Sequence, residues 1–251
     1  MSFTGLSQGA SALDSLEKWQ DAISKDIAYA NKVGYRSAAV GFEGVSHGEM
    51  PSATHTSFVE FLKGVTPKER VQTSFAQGDL TPTENPHDFG INGSGFFELE
   101  TKDGEKVYTR NGEFRFDKEN TLVTNTGAKV MGEGGAISRQ AAGGEIAVNR
   151  NGVIFQDGQE IGRFKVVEIE NLGALQESRD GFVGNGNDPL VTKDRENPEV
   201  YQGVVEKSNV SSVRRMMDLI QVLRAHEMNQ KVITTFDQQM SQAIQYLSYS
   251  R

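Results

Sequence analysis

Residues 208–248 read SNVSSVRRMMDLIQVLRAHEMNQKVITTFDQQMSQAIQYLS, and this stretch is the clearest structural signal in the chain. Ser208 and Asn209 offer a helix cap ahead of Val210, and no glycine or proline follows before Arg251. Apolar residues then recur at intervals of mostly three or four, which places them on one helical face. This face consists of Met217, Ile220, Leu223, Met228, Val232, Phe236, Met240 and Leu247. The pattern predicts a helix roughly 60 Å long.

A second amphipathic stretch occupies about residues 4–32. No proline interrupts it, and Asn31 with Gly34 supplies a stop signal. Its apolar face consists of Leu6, Leu13, Leu16, Ile23 and Ile27. A terminal helix as long as the one predicted above needs a partner, and the N-terminal helix is the obvious candidate. We therefore expect the two faces to pack as a coiled coil, within one molecule or between neighbours. A two-helix layer packed on a β domain is the alternative.

Residues 87–202 have a different pattern, in which short apolar runs alternate with tight-turn signals. Asn-Gly and Asp-Gly favour two-residue hairpin loops, because both central residues must accept positive φ. These dipeptides begin at Asn92, Asp103, Asn111, Asn151 and Asp157. Hairpins at this spacing predict an all-β central domain resembling a sandwich or barrel.

The whole chain is therefore predicted to be mainly β with long terminal α-helices. The all-β central domain, residues 87–202, is inserted between the helices. Residues 1–36 and 203–251 form a discontinuous helical assembly domain. Residues 37–86, interrupted by glycine and proline, form an extended connector.

Composition excludes several classes of partner. The chain has 26 basic and 34 acidic residues, for a net charge of −8. Nucleic acid and anionic membranes need clustered basic residues, so we expect neither as a partner. No run approaches the roughly 18 apolar residues of a membrane span, which predicts no membrane insertion. The N-terminus lacks the regions of a secretory signal, so we expect any export to use another route.

No active site is indicated by the residues that usually carry chemistry. The chain has no cysteine, which removes thiolate catalysis and cysteine-type zinc sites. It contains neither the HExxH of a zinc protease nor the G-x-S-x-G of a serine hydrolase. The glycines at 132–135 and 184–186 lack phosphate-loop spacing and are better explained as turns. We expect no catalytic residue, cofactor, metal or small-molecule substrate.

Three blocks of sequence resemble one family. Ser24–Arg36 is similar to the N-terminal signature of the flagellar rod and hook proteins, and Asn31, Gly34 and Tyr35 match its pattern. Two positions depart from it, Tyr29 and Lys32.

The other two blocks follow in the family's order. The middle block resembles the rod proteins at Gly95–Phe97, Tyr108–Gly112 and Leu122–Thr124. The C-terminal block starts with Gln202-Gly203 and with Glu206–Val210, which includes Ser208 and Asn209, and it continues through Met216–Ile220, Arg224–Glu227 and Asn229–Ile233.

The resemblance implies a structural subunit of the bacterial flagellar basal-body rod that polymerises through its terminal helices and transmits torque. Residues 132–137 and 231–248 look closer to proximal-rod relatives, with a distal-rod or hook-family axial protein as the alternative. The implied partners are copies of itself, other rod and hook axial proteins, and the flagellar export apparatus. The implied location is the periplasmic rod, reached without a cleaved signal peptide. A secreted adhesin or binding module, and an enzyme, are the remaining classes.

Overall fold

The computed structural model divides the protein into two compact units, which are described separately below. Unit 1 comprises residues 1–28, 38–73 and 211–251, and unit 2 comprises residues 29–37 and 74–210. The residues that the structure describes are 4–43, 68–141, 143–186, 188–195 and 197–249. Residues 44–67, within the predicted connector, lie outside them.

Unit 1 contains two helices and a two-stranded antiparallel ribbon. Its elements in the described residues are α1 (Thr4–Ala28), β1 (Ala38–Glu43), β2 (Lys68–Thr73) and α2 (Ser212–Tyr249). In the ribbon, Ala38 of β1 lies opposite Thr73 of β2. At 38 residues, α2 extends for about 57 Å.

The predicted coiled coil of two long helices is wrong. The protein is mostly β, and α1 has only 25 residues. The described contact between the helices is one cluster centred on Leu16, Ile23, Val222 and Ala225. The residues of the predicted α2 seam whose side chains are described are instead exposed: Met217, Ile220, Leu223, Met228 and Val232. The physical reason is that the apolar residues of α2 are divided between two sides of the helix, so they form no continuous seam.

The predicted cap of the C-terminal helix is also wrong, because α2 begins at Ser212. The Asn209 side chain instead donates hydrogen bonds to the carbonyl oxygens of Ser74 and Ala76. These bonds hold Asn209 in unit 2. At the other end of the chain, α1 ends at Ala28, before the predicted stop signal.

Unit 2 is built from short strands in several sheets. Its strands are β3 (Leu80–Pro82), β4 (Phe89–Asn92), β5 (Phe96–Glu100), β6 (Lys106–Thr109), β7 (Phe114–Phe116), β8 (Leu122–Thr124), β9 (Lys129–Gly132), β10 (Gly135–Ala136), β11 (Ile146–Val148), β12 (Val153–Gln156), β13 (Gln159–Arg163), β14 (Val166–Ile169), β15 (Leu175–Glu177), β16 (Phe182–Gly184), β17 (Thr192–Asp194), β18 (Glu199–Gln202) and β19 (Val204–Glu206). A 3₁₀ turn at Leu172–Ala174 precedes β15.

The largest sheet has ten strands and includes the path β15-β16-β6-β5-β9-β8-β7. From this path, β10 pairs with β9, and β14 pairs with β5 and β17. Strands β11, β12 and β13 form a separate meander. Two antiparallel pairs involve the end of the unit, where β18 pairs with β4 and β19 pairs with β3.

The predicted turn dipeptides divide into two groups. The pairs beginning at Asp103, Asn151 and Asp157 each connect strands that are hydrogen-bonded to each other. At Asp157-Gly158, both residues have positive φ, 51° and 80°, as a two-residue hairpin loop requires. The pairs beginning at Asn92 and Asn111 connect strands that do not pair in this way.

The second group shows glycine used for close approach. A Cβ on Gly112 would overlap the carbonyl oxygen of Phe89, and the amide of Phe89 donates to the Gly112 carbonyl at 3.0 Å. Glycine therefore permits two backbone segments to touch here.

The main core of unit 2 is aromatic and aliphatic. Phe89, Phe97, Phe114 and Phe164 pack together, with ring centroids between 4.9 and 6.4 Å apart. A smaller cluster surrounds Phe96. Within the described part of the chain, neither helix carries an apolar stretch long enough to cross a bilayer.

Candidate functional site

An exposed apolar surface runs along α2. Among the described residues, all but two of the exposed large hydrophobic side chains lie on this helix, the exceptions being Tyr29 and Val191. We define the outer face of α2 as Val213, Met216, Met217, Ile220, Leu223, Met228 and Val232. Their exposed fractions range from 43% to 70%. A cluster of exposed large apolar side chains of this kind is typical of an interaction site.

The opposite side of α2 is already covered. Val222 is 0% exposed and packs with Ala225 against Leu16 and Ile23 of α1. Val222 lies two positions from Ile220, which corresponds to about 200° around the helix axis. We call Leu219, Val222 and Ala225 the inner face. Thus α2 is apolar on both sides, and among the described residues of unit 1 only one of these sides is buried.

An ion pair fixes the orientation of α2 within unit 1. The Arg215 Nε lies 2.8 Å from a carboxylate oxygen of the buried Asp26. The other Asp26 oxygen accepts from the backbone amide of Ala38 at 3.0 Å, and Arg215 Nη2 donates to the Ala38 carbonyl at 2.8 Å. The start of α2, the end of α1 and the start of β1 are therefore joined. This leaves the outer face turned away from α1.

A buried charge cluster lies in unit 2, where Glu206 stands between Arg36 and Arg110. Its Oε1 is 2.5 Å from Arg36 Nη2, and its Oε2 is 3.0 Å from Arg110 Nη1. The side chains are at most 5% exposed. Glu206 Oε1 also accepts the backbone amide of Gly78 at 2.8 Å. One carboxylate therefore joins three segments of the chain.

Arg110 is held by several further contacts. Its Nη2 donates to the Gly93 carbonyl at 2.6 Å, and its guanidinium lies 5.3 Å from the ring centroid of Phe96. Burial lowers the pKa of the Arg110 guanidinium; the Glu206 carboxylate opposes this change and the Arg36 cation adds to it. Arginine nevertheless stays protonated, so the cluster carries two cations and one anion.

The cluster is incompletely paired. Arg36 Nε and Nη1, and Arg110 Nε, have no hydrogen-bond partner within the described residues. Burying charge is costly, and removing one member of a buried ion pair usually destabilises a protein by about 3–5 kcal/mol. Removing Glu206 is therefore expected to destabilise the protein more than removing one partner of a surface ion pair would.

The three sequence blocks meet at this cluster. Arg36 belongs to the N-terminal block, Arg110 to the middle block and Glu206 to the C-terminal block. Gly34 donates its amide to the Glu206 carbonyl at 2.8 Å. Its φ is +69°, and a Cβ there would collide with the backbone of Asn111. The glycine of the N-terminal block is thus required by close packing.

The remaining motif residues lie nearby or on the surface. Tyr35 is buried, whereas Asn31 is exposed. The Asn209 Oδ1 accepts the amide of Ser37 at 2.8 Å, in addition to the bonds its side-chain nitrogen donates. The Ser208 hydroxyl accepts the amide of Val210 at 3.2 Å.

The predicted assembly residues are divided by the structure. Leu16 and Ile23 are brought together with the inner face, Ile27 packs at its edge, and Leu13 is half-buried. The outer face contains Met217, Ile220, Leu223, Met228 and Val232. The side chains of Leu6, Phe236, Met240 and Leu247 lie outside those that the structure describes.

Sequence reasoning missed the charge cluster. Arg36, Arg110 and Glu206 all lie inside the quoted blocks, yet none was predicted as a site residue. The available signal was that each of these charged residues lies two or three positions from a glycine (Gly34, Gly112 or Gly203), with both signs of charge represented. Val213 and Met216 of the outer face were also missed, because they fall at the start of the helical pattern.

Unit 2 also contains a cavity of about 300 Å³. Its lining includes Tyr35, Thr109, Thr126 and Asp180. Thr126 donates a hydrogen bond to Asp180. No group of three or more metal-ligating side chains occurs in the described parts of the chain.

Comparison with protein families gives two matches. Residues 90–156 match the flagellar hook protein FlgE/F/G D1 domain, and residues 201–246 match the flagellar basal body rod FlgEFG protein C-terminal region. The first match contains Arg110 and the second contains Glu206 together with the outer face of α2.

Whole-chain comparison agrees. The chain is 31% identical over 253 residues to the flagellar basal-body rod protein FlgF of Rhizobium meliloti, with 99% of both chains covered. It is 30% identical over 254 residues to FlgG of Buchnera aphidicola, covering 93% of this chain and 95% of the relative. It is also 30% identical over 222 residues to FlgF of Caulobacter vibrioides, covering 87% of each. The chain therefore belongs to the flagellar basal-body rod protein family.

Proposed function

We propose that this chain is a structural, non-enzymatic subunit of the flagellar rod that joins copies of itself and other axial proteins through the outer face of α2. The observation that carries the proposal is the apolar outer face, which is left exposed by the described residues of unit 1, in a chain of the rod family. The cluster around Val222 shows that the same helix can bury an apolar face when a partner helix is present.

The outer face has enough apolar surface to support association. Fully burying one large aliphatic side chain contributes about 1.5–3 kcal/mol. The seven outer-face side chains are roughly half exposed, so covering the remainder would contribute on the order of 5–10 kcal/mol. That range is comparable with the entropy cost of association, which is about 4–15 kcal/mol. Assembly through this face would therefore be specific to a well-fitted partner.

Methionine gives this face an adaptable shape. Met216, Met217 and Met228 are three of its seven members, and methionine fills irregular gaps better than branched residues do. A rod subunit contacts neighbours that are not all identical. A methionine-rich face suits that requirement.

The geometry of such contacts would be head-to-tail. A heterologous contact need not close into a ring, so repetition produces a helical segment. Packed helices resist deformation because protein interiors are close-packed. We infer that the rod obtains its torsional stiffness from the covered outer faces.

The position within the rod is inferred from sequence resemblance. Residues 132–137 and 231–248 resemble proximal-rod relatives, which favours the proximal segment. The relatives named FlgF and FlgG match at nearly the same identity, so the alternative is a distal-rod or hook-family position. Delivery to the periplasmic rod by the flagellar export apparatus belongs to the same proposal.

The test is complementation of cells lacking the gene. Basal bodies would be imaged by electron microscopy after expression of the wild-type chain, Ile220→Asp or the control Gln230→Asp. Both positions are exposed on α2, but only Ile220 belongs to the outer face. We expect wild type and Gln230→Asp to restore complete rods and swimming, and Ile220→Asp to leave truncated basal bodies.

The deletion strain tests the rod assignment, and the Ile220→Asp variant tests assembly through the outer face. Normal flagella in the deletion strain would contradict the rod assignment and favour a secreted binding module. Complete rods with Ile220→Asp would keep the family assignment but contradict assembly through the outer face. In the second case, the length of any rod stub in the deletion strain would still separate a proximal from a distal position.

A further inference from the structure

The segment Glu199–Asn209 closes unit 2. It contributes β18 and β19, the strands with which β4 and β3 respectively pair in the described residues. Val200 is 1% exposed and belongs to the same core cluster as Phe89 and Ile91 of β4. Without this segment, the backbone of β4 loses its partner and part of the main core is uncovered.

The same segment supplies the anion of the charge cluster. Glu206 is the carboxylate that pairs with both Arg36 and Arg110 in the described residues. If the remainder of unit 2 packed first, the two guanidinium groups would be buried together without a counter-charge. Like charges in a low-dielectric interior repel strongly, so that intermediate is disfavoured.

Backbone groups elsewhere in unit 2 depend on this segment as well. The amide of Gly78 donates to Glu206, and the amide of Lys207 donates to the Asp79 carbonyl at 2.9 Å. The Asn209 side chain bonds with the backbone of Ser37 and Ser74. Residues 206–209 therefore provide hydrogen-bond partners for the backbone of two segments that are far apart in sequence, one at residue 37 and one at residues 74–79.

We propose that residues 199–209 are a folding gate, so that unit 2 acquires no stable native structure until this segment docks. The gate can close only after residue 209 has become available. All residues of the gate precede α2, which begins at Ser212. The biological consequence rests on the proposed function: in a chain exported N-terminus first, unit 2 stays unfolded until residue 209 has been exported.

The experiment is refolding of the full-length chain followed by pulse-labelled hydrogen exchange. We expect amides of β4, β5 and β9 to become protected at the same time as those of β18 and β19. Glu206→Gln, which keeps the shape and removes the charge, is expected to slow this joint protection at least tenfold. The matched control is Glu199→Gln, an exposed residue in the same segment whose carboxylate bonds with Asn92, and it should change the rate by less than twofold.

Two results would overturn the proposal. One is protection of β5 and β9 before residues 199–206 in the wild-type chain, a measurement that remains decisive if Glu206→Gln fails to fold. The other is an unchanged rate in Glu206→Gln. Refolding in vitro involves no rod, so failure of the gate leaves the assembly proposal intact. Conversely, failed complementation by the outer-face variant says nothing about the order of folding.

Discussion

The charge cluster of unit 2 and the outer face of α2 are opposite arrangements: the cluster buries charged side chains, whereas the outer face exposes apolar ones. In unit 2, Glu206 is fully buried and brings together two arginines from distant parts of the chain. In unit 1, seven large apolar side chains stay exposed on a helix whose other side is packed. The ion pairs of the first arrangement form within one chain, whereas the second arrangement has no partner among the described residues of unit 1. The contrast shows that the motif blocks of this chain have two roles. Some of their residues hold unit 2 together, and others form an exposed surface.

The largest expected effect comes from breaking the closed region. Glu206→Leu leaves Arg36 and Arg110 buried without an anion, so we expect the free energy of unfolding of unit 2 to fall by about 3–5 kcal/mol. Denaturant unfolding followed by the β-sheet circular dichroism signal measures this. Glu133→Leu is the control, since Glu133 is an exposed residue whose ion pair with Arg163 is long, at 3.5 Å. Equal stability of the two variants would contradict a closing role for Glu206.

The next effect separates the two faces of α2. Val222→Asp buries a charge on the inner face, and we expect it to destabilise unit 1 by about 3 kcal/mol. Ile220→Asp, on the outer face, should change stability by less than about 0.5 kcal/mol. Trp19 is the single tryptophan of the chain and packs at the helix contact, so its fluorescence reports on unit 1. A large loss with Ile220→Asp would mean that the outer face is part of the fold.

A smaller effect is expected from altering the ion pair that orients α2. Arg215→Lys keeps the charge but cannot reproduce the guanidinium contacts with both Asp26 and Ala38. We expect a loss of about 1–2 kcal/mol in unit 1, again measured by Trp19 fluorescence. The control Arg214→Lys, at an exposed neighbouring position, should have no measurable effect. If both variants behave alike, the geometry of the Arg215 contacts does not matter.

The smallest effect concerns pH and unit 2. Burial lowers the pKa of the His87 imidazole from its usual range, and the Arg139 cation adds to this lowering. The unfolded chain therefore binds a proton more readily than the folded one, so this contribution to stability is present above about pH 6.5 and is lost as pH falls below it. We expect His87→Gln to flatten the decline in unfolding free energy between about pH 7 and pH 5. An unaltered slope would assign that decline to other groups.

Local patterns predicted some elements of this fold and failed at others for physical reasons. The Asp157-Gly158 turn follows from two adjacent residues that tolerate positive φ. The Asn111-Gly112 pair has the same local signature, but its glycine serves contact with Phe89, a residue distant in sequence. Likewise, the periodicity of the apolar residues predicts that α2 is a helix. It does not show whether the side of Ile220 or the side of Val222 is covered. The coiled-coil prediction failed because it paired α1 with the side of α2 that carries Ile220, whereas α1 packs on the side that carries Val222.

The candidate site shows the same limit. The outer face could be predicted from periodicity, and several of its members were. The charge cluster could not, because Arg36, Arg110 and Glu206 are separated by long stretches of chain and only the strand pairings of unit 2 bring them together. Local turn and helix preferences can be predicted from the sequence. Contacts between blocks that are distant in sequence can be identified only once the fold is known.

The most direct test of the outer face as the assembly surface is thiol labelling, because this chain has no cysteine and an introduced one is its single reactive thiol. Single variants Ile220→Cys, Ala225→Cys and Gln230→Cys would be labelled with a maleimide in dilute protein and in purified basal bodies. We predict that Ile220→Cys reacts readily in dilute protein and at least tenfold more slowly in basal bodies, whereas the inner-face Ala225→Cys stays protected in assembled rods and Gln230→Cys loses less reactivity than Ile220→Cys. Equal reactivity of Ile220→Cys in both samples would contradict assembly through the outer face of α2.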